Sequence, residues 1–598
     1  MRKYIIIILL LIALPCWGAD QVLYVRDGAT GTTCSDWAAG NACDQISTAV
    51  ALIDRATYDD VYIYVADGSY GAISITSPTD GTDRIYIKKA TASAHGSETG
   101  WDNAYGDGQA TIQAAAGTSG TEIKSVYIGT SYVTIDGVAG TGETGSSYGF
   151  VVKLGADFGA LDGHYYVALA LGGTDLTDIW ATNVTIQYIF FDGPSELVTC
   201  LTLPKASGGC TNDGVLVDTM YANNFEASHI YSEGFTNNIN IRRTQDIKVH
   251  HSYFGNNTTS ATGNHGQNMN LELLQNVQIY NNFFRDSQTF VIAVHNNLPP
   301  KTPTSGLEIW NNIVVGSSPN VAIFLGGMAS SVDVFWGAKI HHNTIISSDL
   351  TGRGFVYLYG LTDPATNHSY AYNNLFYNVA YPNISIATAY PASAGENIVH
   401  DNNAYLYCTG ATTTGDETSP QVDTEATSAI FTNYASGDYT IASANQYAID
   451  HIIDKGKTDL GSPYDIDRAG NSRDATPDIG AYEAGASADT TAPVLTEVTS
   501  MPPFSSNQAP QYTFSTTEAG TVTYSGTCGN GTLSYATLGE NTTEWNLAIG
   551  TYSDCSISVT DAASNASDPL LISEFTIRPE SGVMPMAIGG GAVFQRLP

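Results

Sequence analysis

A rhythm of thirty or thirty-one residues constrains this chain more than anything else in it. From about residue 131 to 405 a short pattern recurs: apolar, any, apolar, any, then Asn or His, then Asn, then two apolar residues, with substitutions in each copy. It reads Ile247-Lys248-Val249-His250-His251-Ser252-Tyr253-Phe254, Val277-Gln278-Ile279-Tyr280-Asn281-Asn282-Phe283-Phe284 and Leu307-Glu308-Ile309-Trp310-Asn311-Asn312-Ile313-Val314. It continues as Ala338-Lys339-Ile340-His341-His342-Asn343-Thr344-Ile345 and Ser369-Tyr370-Ala371-Tyr372-Asn373-Asn374-Leu375-Phe376. The third position marks residues 249, 279, 309, 340 and 371, with steps of 30, 30, 31 and 31. Less regular copies precede these at Val133 to Gly137, Val184 to Tyr188 and around Glu226 to Ile230.

Period-two alternation denotes strands, and a unit of this length with several short strands and no helical period is one turn of a β-solenoid. Leucines at fixed offsets, the mark of leucine-rich repeats, are absent. Second strands at Ile239 to Arg242, Asn270 to Leu273, Val291 to Val294 and Val356 to Tyr359 give two or three strands per turn. The expected fold class is all-β: a right-handed, single-stranded parallel β-helix. Equivalent residues then stack about 4.8 Å apart, because strand-to-strand hydrogen bonds join the turns. The column Asn282, Asn312, Asn343 and Asn374 becomes an asparagine ladder at a bend, each amide bonding its neighbour and the turn backbone.

Before the regular coils, residues 19–130 read as an N-terminal cap and opening turns, with strands at Val22 to Val25 and Val61 to Tyr70. A short helix within Ile46 to Arg55 is placed to cover the open end, since an uncovered edge invites aggregation. Residues 406–488 read as the closure of the β-helix. They contain a polar loop, Thr409 to Pro420, and end in Asp478-Ile479-Gly480-Ala481-Tyr482-Glu483. Residues 430 to 485 resemble the end of β-helix proteins that carry the choice-of-anchor Q region, and the coils are similar to pectate-lyase-like secreted proteins. The first resemblance implies an exported surface protein, not a particular reaction; the chain departs from the pattern in having no Leu-Pro-x-Thr-Gly signal, terminal membrane span or basic stop sequence. After a linker at Asp489 to Pro493, residues to 577 alternate as short strands. Val559 to Asn565 and the Cys528/Cys555 pair resemble a bacterial immunoglobulin-like β-sandwich, mostly a spacer or adhesive unit. The tail, 578–598, is expected to be disordered or a docking peptide.

Arg2 and Lys3, the apolar run Ile5 to Leu14 and Cys16-Trp17-Gly18-Ala19 have the zones of a secretory signal, residues 1–18; lipidation at Cys16 is the alternative, which Pro15 disfavours. No other stretch reaches the roughly 18 apolar residues of a membrane span. Cys34 with Cys43, Cys200 with Cys210 and Cys528 with Cys555 suit disulfides in an oxidising compartment, leaving Cys408 as a buried thiol. Formal charge is −35, from 23 basic and 58 acidic residues, and loss of Arg2 and Lys3 takes it to −37. Nucleic acid and anionic lipid are excluded as partners on that ground, and a strongly acidic polysaccharide needs a basic patch or bound cations. The oligomeric state stays open.

Chain-order catalytic motifs are scarce. Gly145-Ser146-Ser147-Tyr148-Gly149 leads into a strand, where a nucleophile elbow needs strand, turn and helix. Polygalacturonases of similar fold imply Asn-Thr-Asp, Asp-Asp and Gly-His-Gly elements, which only Asn264-His265-Gly266 approaches. Lyases abstract a proton beside a uronate with Lys, Arg or His, often with Ca²⁺. The best cluster for that puts Ile241, Leu271 and Val294 in one inward column, with Arg242 neutralising a uronate, Glu272 holding Ca²⁺, His265 as base, and Arg243 and His295 nearby. Its plain alternative is a solvated pair of Arg242 and Glu272. The fourth-position column, His250, Tyr280, Trp310, His341 and Tyr372, points outward by alternation and reads as a platform for sugar rings. Lys248, Gln278, Glu308, Lys339 and Tyr370 supply polar groups beside it. The alternative there is that the rings stack on one another or lie beneath a loop. The leading expectation is an exported glycan-binding surface protein; a polysaccharide lyase or glycoside hydrolase and a phage-type fibre or spike are the rivals.

Overall fold

Val61-Tyr62-Ile63-Tyr64-Val65 shows how the alternation works: Val61, Ile63 and Val65 are buried while the tyrosines between them stay half-exposed. Repeated along the chain, such segments form three parallel sheets of 13, 12 and 10 strands, here sheets 1, 2 and 3, one strand of each per turn. In the computed structural model the described residues are 20–595 except 77–82, 116–121, 141–144, 155–164, 173–180, 194–210, 219–222, 258–265, 273, 288–289, 296–303, 317–320, 326–334, 348–355, 359–368, 381–383, 387–397, 409–416, 462, 486–491, 519, 530, 534, 537–538, 546, 562–564, 580–583 and 589–590. The signal segment, the Cys200/Cys210 pair and His265 lie outside them.

The marker column of sheet 1 runs Leu23, Ile63, Ile87, Ile135, Ile186, Ala227, Val249, Ile279, Ile309, Ile340, Ala371 and His400 in unbroken register. Coiling therefore starts at Gln21, and the opening turns are rungs of the same sheets. Their early steps, from 22 to 51 residues, hide the repeat because connections of very different length serve the same register, and added loop length costs little. The helix Ile46–Val50 buries Ile46 and Ala49 and packs on the first strands of sheets 1 and 3. The Cys34–Cys43 disulfide lies fully buried in the same core.

From Tyr188 onward each bend from sheet 1 to sheet 2 uses one residue in the left-handed region: Tyr188, His229, His251, Asn281, Asn311, His342, Asn373 and Asn402, with φ between 50° and 57°. Asn and His tolerate this backbone better than most side chains. The next residue turns inward. Asn282 Nδ2 donates to Asn312 Oδ1 at 3.1 Å, and Asn312 to Asn343, Asn343 to Asn374 and Asn374 to Asn403 at 3.0 Å. Every donor points the same way, and each amide also bonds a backbone carbonyl of the preceding turn. At the last rung, Asn403 donates to Glu417 Oε1 at 2.9 Å, where His400 and Tyr405 converge at 2.7 Å.

Residues 430–484 do not add a coil. A hairpin, Phe431–Asn433 with Asp438–Ile441, and a helix, Gln446–His451, lead into a segment lying along the outer face of sheet 2. Phe431, Tyr439, Ile452, Ile479 and Ala481 pack there with Phe283, Ile313, Leu375 and Tyr377. The closure expected at the end of the coil is thus a strap along its side.

By spatial grouping, one compact unit comprises residues 1–468 and 473–485, and the other 469–472 and 486–598. The second has its own core of Tyr512, Phe514, Trp545, Ile557, Val559 and Phe575, with the Cys528–Cys555 disulfide. Its small sheets, of three, three and four strands and mostly antiparallel, are compatible with an immunoglobulin-like sandwich. In the tail, Met584–Ile588 and Gly591–Gln595 pair as an antiparallel hairpin.

Candidate functional site

The register places His250, Tyr280, Trp310, His341 and Tyr372 in one column of sheet 1. Rung spacing brings flat rings into contact: His250 and Tyr280 stack at 4.7 Å and 9°, Tyr280 and Trp310 at 4.4 Å and 10°. Rings stacked in this way spend their faces on one another and offer solvent their edges. Trp310, His341 and Tyr372 are moreover buried, at 4, 2 and 7 % exposure. Tyr464 of the strap stacks on His341 at 4.7 Å and meets Trp310 edge-on at 5.7 Å, and Lys457 Nζ lies 5.3 Å from the Tyr372 ring centre. The open five-ring platform is therefore corrected. Only His250 and Tyr280 remain half-exposed, because the strap, distant in sequence, returns over the rest.

What stays open is a polar strip. In the neighbouring column Tyr62, Tyr86, Thr185, Glu226 and Gln278 are half-exposed and Lys248 is exposed, whereas Thr134, between Tyr86 and Thr185, is buried and accepts from Arg84 Nη1 at 3.0 Å. Tyr62 and Tyr86 stack at 4.7 Å. From Val61–Val65 to Gln275–Tyr280 is six steps along sheet 1, about 29 Å at roughly 4.8 Å per step. Within the strip, Glu226 Oε1 meets His250 Nε2 at 3.1 Å, His250 Nδ1 meets His251 Nδ1 at 2.7 Å, and His251 Nε2 meets Asn281 Nδ2 at 3.0 Å. The His250 hydrogen bond holds the Glu226 carboxyl below its usual range. Burial, then the neighbouring His250, pushes His229 down to about 4.

On sheet 3 the inward column Ile241, Leu271 and Val294 forms as expected, putting Arg242, Glu272 and His295 on successive rungs. Arg242 Nε lies 3.5 Å from Glu272 Oε2 and donates to Asn240 Oδ1 at 3.1 Å. The guanidinium and carboxylate are thus engaged with each other, an arrangement that neutralises Arg242 before any uronate arrives. Arg243 takes a left-handed bend, φ 54°. Among the described residues no group of three His, Cys, Asp or Glu is arranged to hold a metal ion. Gly145–Ser147 forms a short 3-10 turn entering the strand Phe150–Lys153, so the Ser there has no elbow. Cys408 is buried and its thiol pushed up to about 12 by desolvation, which makes it inert.

The first Asn of three Asn-Asn pairs carries a role that pattern reading missed. Asn311 Nδ2 donates to Ile466 O at 2.7 Å, Asn373 Nδ2 to Lys457 O at 3.1 Å and Asn402 Nδ2 to Lys455 O at 3.0 Å, so the bends are hooks for the strap. Arg473, fully enclosed, bridges Glu483 at 3.2 Å and donates to Asn311 Oδ1 at 3.1 Å and Gly480 O at 2.9 Å. Desolvation, then the Glu483 charge, raises Asp478 to about 7. Gly480 sits at φ 106°, and a Cβ there would stand 2.8 Å from Thr344 Oγ1, so only glycine fits. The conspicuous Asp-Ile-Gly-Ala-Tyr-Glu string is accordingly the strap's contact with the coils.

Fold and site together define a strapped parallel β-helix. No family model matches the sequence, and no curated protein matches it. Among solved structures, the chain is similar to the pectate lyase Pel9A, with TM-score 0.42 and 11% identity over 78% of this chain and 97% of that one. It is also similar to the family 28 exopolygalacturonase of Yersinia enterocolitica, at TM-score 0.29 and 13% identity over 65% and 71%. PfbA, a surface adhesin of Streptococcus pneumoniae, matches at TM-score 0.27 and 12% identity over 62% and 95%.

Proposed function

We propose that this is an exported surface protein that binds a glycan chain along the open strip of sheet 1. The observation that carries the reading is the strip itself: about 29 Å of in-register hydroxyl, amide, amine and carboxylate groups edged by aromatic rings and interrupted at the buried Thr134 rung. A linear polysaccharide repeats its hydroxyls along one axis, and a ladder repeats its partners likewise. Two formed disulfides and the signal-like N-terminus favour an oxidising, extracellular setting. The choice-of-anchor Q likeness of residues 430 to 485 fits a surface location. The strong acidity favours a neutral glycan or one bridged by cations such as Ca²⁺.

Retention of the mature protein on a glycan array tests this. Lys248→Ala/Gln278→Ala is expected to lower retention at least fivefold while leaving Tm unchanged; an unaltered double variant would overturn the strip as the binding face. The lyase reading draws on the register of Arg242, Glu272 and His295. It requires unsaturated products absorbing in the ultraviolet, abolished by Arg242→Ala or Glu272→Gln.

A further inference from the structure

The parallel ring stack runs from His250 through Tyr280 to Trp310; at the next rung His341 is stacked instead against Tyr464. This is the place in the column where a ring supplied from elsewhere is accepted on a ring face. Tyr464 fills it imperfectly. His341 is 2 % exposed, and among the described residues neither of its ring nitrogens has a hydrogen-bond partner. A neutral imidazole carries one N–H donor and one acceptor, and leaving both unmade in a buried site is unfavourable. The imidazole is kept neutral, pushed down to about 3 by burial and then by Lys339. Tyr464 covers its face and gives those nitrogens nothing, its own hydroxyl being directed to the Glu308 carboxylate.

A pyranose has what Tyr464 lacks: an apolar C–H face to lie on a ring, with equatorial hydroxyls at the rim that both donate and accept. Lys339 and Glu308, hydrogen-bonded to each other at 2.8 Å, flank the position and can reach a hydroxyl. The position also continues the open strip, since Gln278 and Tyr280 pair directly with Glu308 and Trp310 on the next strand. We infer that Trp310 and His341 form a concealed sugar subsite at the end of the strip, which Tyr464 occupies from within and an extended glycan takes over by displacing it. This rests on the glycan-binding reading and adds a regulation to it: binding at the subsite is opposed by the protein's own ring.

Two measurements on the full mature chain decide it. In acrylamide quenching of tryptophan fluorescence, Tyr464→Ala is expected to raise the quenchable signal, and the rise to vanish in Tyr464→Ala/Trp310→Phe. Tyr464→Phe, which keeps the ring, should match wild type. Equal quenching in wild type and Tyr464→Ala would overturn the inference, because something other than Tyr464 would then close the subsite. Cellohexaose and hexagalacturonate, a neutral and an acidic probe, are then titrated. At least one is expected to bind Tyr464→Ala tenfold or more tighter than wild type, with the gain lost in Tyr464→Ala/His341→Ala. Unchanged or weaker binding, or no binding of either sugar to Tyr464→Ala, overturns the subsite. The open strip stands or falls separately, on array retention by the wild type and its loss in Lys248→Ala/Gln278→Ala.

Discussion

At Asn311, Asn373 and Asn402 two adjacent residues of the bend do different work. The outer one takes the left-handed backbone and presents its side chain to the strap; the inner one joins the ladder. Asn343 donates to Ile309 O, His341 O and Asn374 Oδ1 and accepts from Asn312. Asn343→Ala leaves several of these buried groups unpaired, and we expect a loss of about 3 kcal/mol in urea unfolding. At the outer position, His342 is enclosed and held far below its usual range by desolvation, and His341 falls to about 3. Both imidazoles are neutral in the fold and titrate near 6.5 when unfolded. Their contribution is therefore complete above pH 6.5 and is lost as pH falls below it, down to about 3 for His341, with a limiting slope of about 1.4 kcal/mol per pH unit for each imidazole. His342→Asn places there the residue found at Asn311 and Asn373, whose φ values match. Acid titration of stability should show a shallower fall in that variant, at little cost at pH 8; an unchanged slope would remove His342 from the account.

Among the elements, the strap is held by an apolar cluster and by polar contacts, and Arg473 is the centre of the polar ones. Removing one partner of an enclosed ion pair leaves the other charge uncompensated, which typically destabilises by about 3–5 kcal/mol. Arg473→Met strands Glu483 beside Asp478, so the strap should come free while the coils persist. Limited proteolysis with mass mapping is expected to cut between residues 454 and 484 in the variant, with the far-ultraviolet β signal retained. Collapse of that signal would mean that the coils need the strap to fold. The asparagine ladder has a comparable terminus: its aligned amide dipoles end in a donor, and the Glu417 carboxylate receives it, as an anion sits at a helix N-terminus.

For the whole molecule, the two units have separate apolar cores. Calorimetry of the mature chain is expected to show two transitions, with Cys528→Ser/Cys555→Ser lowering only the smaller unit's, by about 3 kcal/mol for a bridge spanning 27 residues. A single merged transition would contradict independent units. The coil was legible in sequence because a parallel ladder demands the same residue class at each rung, so Val249, Ile279, Ile309 and Ile340 announce themselves. The inward column through Ile241, Leu271 and Val294 was legible for the same reason, even across a step of 23. The fate of the outward rings was not. Alternation settles which face a side chain leaves by, and nothing within thirty residues says what returns to cover it. That Trp310 and His341 lie under Tyr464, 154 and 123 residues away, was decided by long-range packing, in which the strap finds its hydrogen-bonding hooks at Asn311, Asn373 and Asn402. Local pattern determined the rungs and their facing; tertiary structure decided which rungs are open, because exposure depends on every segment that packs on a face and not on the residues that form it.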